Sequence, residues 1–150
     1  MSRLDEIAAK IRDSGVLRKA KMKGCSEKEI ASLEKEFGKK LPTAYREFLG
    51  LLGRGAGSFM SDLEIFFPEV AECNAKAEEI LSWEEGVELP ETAFVFMTRY
   101  GEQFLFFEVD ERNPDPPIYY FKEDAKGFKR LYDSIWDFVE DEIEVAKGAL

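Results

Sequence analysis

Residues 26–57 read SEKEIASLEKEFGKKLPTAYREFLGLLGRGAG, and this stretch decides the fold. Ser26 with Glu29 three positions on is a capping box: the hydroxyl takes an orphan amide and the carboxylate reaches back to the Ser26 amide. Ile30, Leu33 and Phe37 then repeat at helical spacing. Gly38 suits the left-handed residue that closes a helix. Leu41-Pro42 cannot continue it, because proline disfavours the α conformation in the residue before it. Thr43 is expected to cap a second helix carrying Tyr45, Phe48, Leu49 and Leu52. Gly53-Arg54-Gly55-Ala56-Gly57 breaks the chain again.

Upstream, Leu4, Ile7, Ala8 and Ile11 form an amphipathic stripe that stops at Ser14-Gly15. Downstream, Leu63, Ile65 and Phe67 alternate with polar or outward positions and predict a strand. Pro68-Glu69 suits a first helical turn, and Val70, Cys73, Ala77, Ile80 and Leu81 supply its stripe. Trp83 to Pro90 reads as an acidic loop. Ala93 to Thr98, Gln103 to Val109 and Ile118 to Phe121 are rich in Phe, Val and Tyr and predict three strands. Arg99 to Glu102 makes the first hairpin turn. Apolar residues on both faces of 104–109 predict a central strand covered on both sides. Asn113-Pro114-Asp115-Pro116-Pro117 must run extended. From about Gly127, the spacing of Phe128, Leu131, Ile135, Phe138, Val139 and Ile143 predicts one long terminal helix. Three strands in succession favour an antiparallel meander. The expected class is therefore α+β, a mostly antiparallel sheet packed by N-terminal helices and a long C-terminal helix, in one domain over 1–150.

The chain has 150 residues, 45% hydrophobic and 13% aromatic, with thirteen Phe, so it can bury a sizeable core. It carries 21 Lys and Arg against 31 Asp and Glu, a net charge of −10. Such a balance argues against direct nucleic-acid binding, which needs cations to neutralise phosphates. Residues 1–50 carry 12 basic and 8 acidic residues, a balance of +4, whereas residues 51–150 carry 9 and 23, a balance of −14. Two readings fit the acidic excess: a solvated surface that favours solubility, or a face that meets a basic partner.

There is no histidine. That removes the commonest general base and metal ligand, and with them Ser-His-Asp and Cys-His catalysis on this chain. The two cysteines, Cys25 and Cys73, stand 48 positions apart without a CxxC pair, which suits a reducing cytosol rather than a disulfide framework or a zinc site. No apolar run reaches the length of a signal peptide or a membrane span.

The remaining chemical candidates each have a plain structural reading. Asp133, Asp137 and Asp141 at helical spacing could hold a hard cation, but read better as a solvated helix face. Gly53 to Gly57 could cradle a phosphate, but lacks the Lys-Ser/Thr of a P-loop. Cys25 reads as a plain small residue, and Arg18 to Lys23 as a basic surface loop. Trp83 and Trp136 read as loop-anchoring and core aromatics.

The run Ile30-x-x-x-Glu34, Phe37-Gly38, Leu41-Pro42, Tyr45-x-x-Phe48-Leu49 and the glycine pair resembles the SUKH superfamily, bacterial immunity proteins that include fungal cell-wall-assembly regulators. The Phe-rich hairpin, the Pro117 to Tyr119 strand and the ending with Phe128, Ile135 and Phe138-Val139 extend the resemblance over about 24–139. It implies Glu34, Gly38, Leu41, Pro42, Tyr45, Phe48 and Gly55 as fold determinants. It also implies no enzymatic activity, no cofactor and a protein partner, such as a toxin domain, commonly a basic nuclease. The expected contact surface is acidic and lies in the two loops holding Glu84, Glu85 and Glu88, and Asp110, Glu111 and Asp115. A regulatory or scaffold module unrelated to toxins is the alternative, and a small-molecule-binding or catalytic role is the third reading.

Overall fold

A computed structural model describes residues 2–123 and 126–150. Five helices surround a four-stranded antiparallel sheet. The helices are α1 (Arg3–Ser14), α2 (Glu27–Phe37), α3 (Thr43–Leu52), α4 (Cys73–Leu81, after a 3₁₀ turn at Glu69–Glu72) and α5 (Ile135–Lys147). The strands are β1 (Ala93–Arg99), β2 (Gln103–Glu108), β3 (Ile118–Lys122) and β4 (Lys129–Tyr132), in that order across the sheet.

The helical punctuation of 26–57 is realised atom by atom. Glu29 N–H donates to Ser26 Oγ at 3.1 Å while Ser26 N–H donates to Glu29 Oε1 at 2.9 Å. Gly38 closes α2 at φ 89°, a conformation that glycine adopts without a Cβ penalty. Glu34 Oε2 accepts the Leu41 N–H at 2.7 Å and lies 3.6 Å from Arg46 Nε, tying the α2–α3 link to both helices. Pro42, not Thr43, occupies the N-cap of α3; no side chain caps this helix, and the Pro114 carbonyl accepts the Ala44 N–H at 2.9 Å instead. Tyr45 and Phe48 are fully buried. Lys23 pairs with Gly55, and Gly24 passes so close to α3 that a Cβ there would lie 1.8 Å from the Gly50 carbonyl oxygen.

The sheet carries aromatic layers on both faces. Between Val95 and Met97 the register slips by one residue, a β-bulge at Phe96. Phe94 and Phe96 thereby both stack on Phe107, at 5.5 and 5.6 Å between centroids. Tyr45 and Phe138 cover this layer from α3 and α5. On the other face Phe104, Phe106 and Phe121 gather around Phe128. The α4 helix packs along β1, and its Lys76 reaches Glu64, whose carboxylate takes the Thr98 hydroxyl. The central strand is covered on both sides, as its apolar pattern requires.

Two further expectations are corrected. Residues 63–67 make no strand of the sheet; they meet β1 in one bridge, Glu64 with Thr98, and Leu63 and Ile65 are buried through turns. The terminal helix begins at Ile135, not Gly127, and 129–132 form β4 on the free edge of β3. Ser134 takes the Trp136 N–H at 3.1 Å and starts the helix there. Edge pairing outweighed a helical periodicity that Phe128 and Leu131 fit by spacing alone.

Candidate functional site

The six acidic loop residues fall into two groups. Glu84, Glu85 and Glu88 follow α4. There Ser82 Oγ donates to the Glu79 carbonyl at 2.6 Å and Glu84 N–H to the Leu81 carbonyl at 3.0 Å, while Val87 and Leu89 pack on the core. Glu84 and Glu88 line one cleft with Glu78 and Ser82. Between Lys76 and Arg99 the chain has six Glu and no Lys, Arg or Asp.

Asp110, Glu111 and Asp115 follow β2. Val109 N–H donates to the Thr92 carbonyl at 2.9 Å, which sets this loop beside the start of β1. Asp110 Oδ1 accepts the Arg112 N–H at 3.0 Å, and Asn113 Oδ1 accepts the Asp115 N–H at 3.1 Å. Both Asp115 oxygens accept from the Ser134 hydroxyl, at 2.7 and 2.8 Å, so this carboxylate anchors the loop to the start of α5. Asp110 and Glu111 share their cleft with Lys39, Lys40 and Arg112, which offset their charge. The α4 end opens instead onto Thr98 and Gly101, at the opposite end of β1. The two groups line different clefts.

The other candidates resolve into structural roles. Gly53 N–H donates to Leu49, Arg54 N–H to Lys23 and Gly55 N–H to Leu52, so these amides are turned into the fold rather than toward an anion. Cys25 is pushed up to about 11 by burial and by Glu29, and Cys73 to about 11 by burial; both are free thiols, held in the protonated, unreactive form. Asp133 lies before α5 and pairs with Arg130, Asp137 pairs with Arg3, and Asp141 accepts from the Tyr132 hydroxyl at 2.7 Å. No group of three potential ligands among the described residues is placed to hold a metal ion. No helix among them is long and apolar enough to cross a membrane.

One aromatic residue departs from its expected role. Trp136 is core, but Trp83, expected to anchor its loop, is 85% exposed. Tyr100, in the β1–β2 turn, is 68% exposed. The available signal was local: Trp83 stands two positions beyond the last apolar residue of the α4 stripe, flanked on both sides by glutamate pairs.

No curated protein matches the chain. A family model for the SMI1 / KNR4 family (SUKH-1) matches residues 24–141. The match takes in the capping box, the Glu34–Leu41 tie, the whole sheet and the first half of α5, and the chain belongs to this family.

Proposed function

We propose that the protein is a non-enzymatic binding module that neutralises a basic protein partner, a toxin domain such as a nuclease, through the acidic surface at the end of α4. The observation that carries this reading is the stretch from 77 to 98, six glutamates without one cation, whose exposed part follows directly on a helix packed against the sheet. A carboxylate field of this kind steers a cationic protein into encounter and raises the association rate. Family membership supports a protein-interaction role. A chain without histidine, with both thiols held protonated, has little to offer nucleophilic or acid–base chemistry. The free thiols fit a reducing cytosol.

The test is to read the genes that flank this one and, for a toxin domain encoded there, to measure the association rate at low and at high salt. Charge reversal of Glu84, Glu85 and Glu88 is expected to slow association about tenfold at low salt, with the loss shrinking as salt screens the field. Reversal of Asp110 and Glu111, already offset by Lys39 and Lys40, is expected to do less. Glu140 on α5 is a poor control, because it pairs with Arg3 and Lys10. Equal rates for the wild type and the α4-loop variant would exclude this surface. A scaffold role unrelated to toxins predicts no binding to that toxin at all.

A further inference from the structure

An exposed apolar side chain is ordinary on its own. Trp83 differs in how it is held and in what surrounds it. Its backbone N–H donates to the Ile80 carbonyl at 3.4 Å, and the next residue continues the turn, so the indole stands on the rigid end of a packed helix. Tyr100 is presented at the same end: Trp83 and Gly101, its neighbour in the turn, line one cleft of about 300 Å³ together with Glu79, Ile80 and Thr98. Tyr100 also holds φ 54°, a left-handed conformation that costs a non-glycine residue energy and is usual for Asn, Asp or Gly in such turns. Its ring is pinned under the Arg99 guanidinium, 4.9 Å from the centroid. Lys76 lines the same cleft but is paired to Glu64, and Arg99 is paired to Asp62, so both cations at this end are matched by carboxylates while Glu79 adds a further acid to the cleft.

We infer that Trp83 and Tyr100 are the aromatic anchors of a protein-docking surface, and that the partner presents a large apolar side chain flanked by Lys and Arg. Aromatic anchors at the centre of a charged rim are where interface energy concentrates: the apolar side chain packs on the rings, and the flanking cations supply orientation and encounter. Basic residues of the rim can also lie over the indole face. This inference rests on the proposed binding of a basic protein and names the atoms that would hold it.

The experiment uses the full chain and a displayed library of random peptides. Binders are selected on the wild type and then measured against Trp83→Ala and Tyr100→Gly. Recovered peptides are expected to be net positive with a large apolar residue. Their affinity is expected to fall roughly 30-fold on Trp83→Ala and about tenfold on Tyr100→Gly. Trp83→Ala should melt with the wild type, since its ring is exposed, and Tyr100→Gly at or above it, since glycine relieves the left-handed conformation. Four outcomes overturn the inference: no binder, binders indifferent to Trp83, binders that are neutral or acidic, or a Trp83→Ala protein with a clearly lowered melting temperature. Wild-type self-association in sedimentation that Trp83→Ala abolishes also overturns it, by making the occupant a second copy. A toxin domain encoded by a flanking gene would separate the two proposals. Tight binding that Trp83→Ala leaves unchanged sinks the anchors and keeps the toxin reading; no toxin binding, with Trp83-dependent cationic peptides recovered, does the reverse.

Discussion

Glu34 shows how one carboxylate can set a chain direction. It stands 15% exposed and takes the Leu41 amide just before the Pro42 turn, while facing Arg46 one helix on. Glu34→Ala leaves that amide without its acceptor and should cost about 1–3 kcal/mol, with Glu34→Gln costing less because a neutral acceptor remains. Urea denaturation of both variants checks the order, and an alanine variant as stable as the wild type refutes it. Gly24 is a residue defined by approach distance. Gly24→Ala forces a methyl into the Gly50 carbonyl and should cost about 1–3 kcal/mol or more. Gly50→Ala meets nothing within 4 Å on a helical backbone and should stabilise the fold by about 0.5–1 kcal/mol. The same denaturation series decides both, and opposite signs at two glycines in contact are the expected result.

At the scale of elements, the join between β4 and α5 depends on Ser134. Its hydroxyl takes the Trp136 amide, starting the helix, and donates to Asp115, holding the Pro-rich loop. Ser134→Ala should cost about 1–2 kcal/mol, since both functions are lost at a buried cap. Asp115→Ala should cost part of the same energy, and the double variant less than the sum of the two. Additive losses in thermal or chemical denaturation would show that the two contacts are independent. The element that sequence periodicity misassigned lies next to this cap. Phe128 and Leu131 stand at helical spacing from Ile135, but β3 offered an unpaired edge, and Tyr119 with Arg130 took it. Periodicity counts apolar positions; it does not register a distant strand with free amides and carbonyls.

For the whole molecule, the two thiols, Cys73 buried and Cys25 half-buried, make stability depend on pH at the alkaline end. Each is raised from an ordinary 9.0 to about 11, so between these values the unfolded chain has lost protons that the folded chain still binds. Stability should hold below pH 9 and fall as pH rises toward 11. The urea midpoint followed from pH 8 to 11 checks this, with the fall shallower in Cys73→Ala; identical slopes would refute it. Reductant should leave the melting temperature unchanged, as both cysteines are free. Much of this molecule was legible in its sequence. Ser26, Glu29 and Gly38 specify α2 through bonds that span at most four residues, and the Phe, Val and Tyr runs specify three strands and the covered centre of the sheet. The acidic excess after residue 50 was legible too, as a count. Its arrangement was not: only the fold sets Trp83 and the Asp110 loop at opposite ends of β1, brings Lys39 and Lys40 beside Asp110, and leaves Trp83 in water. Caps, turns and periodicity are settled by neighbours along the chain. Edge pairing, charge compensation and the exposure of a single ring depend on which distant segments arrive beside them, and that is decided by packing.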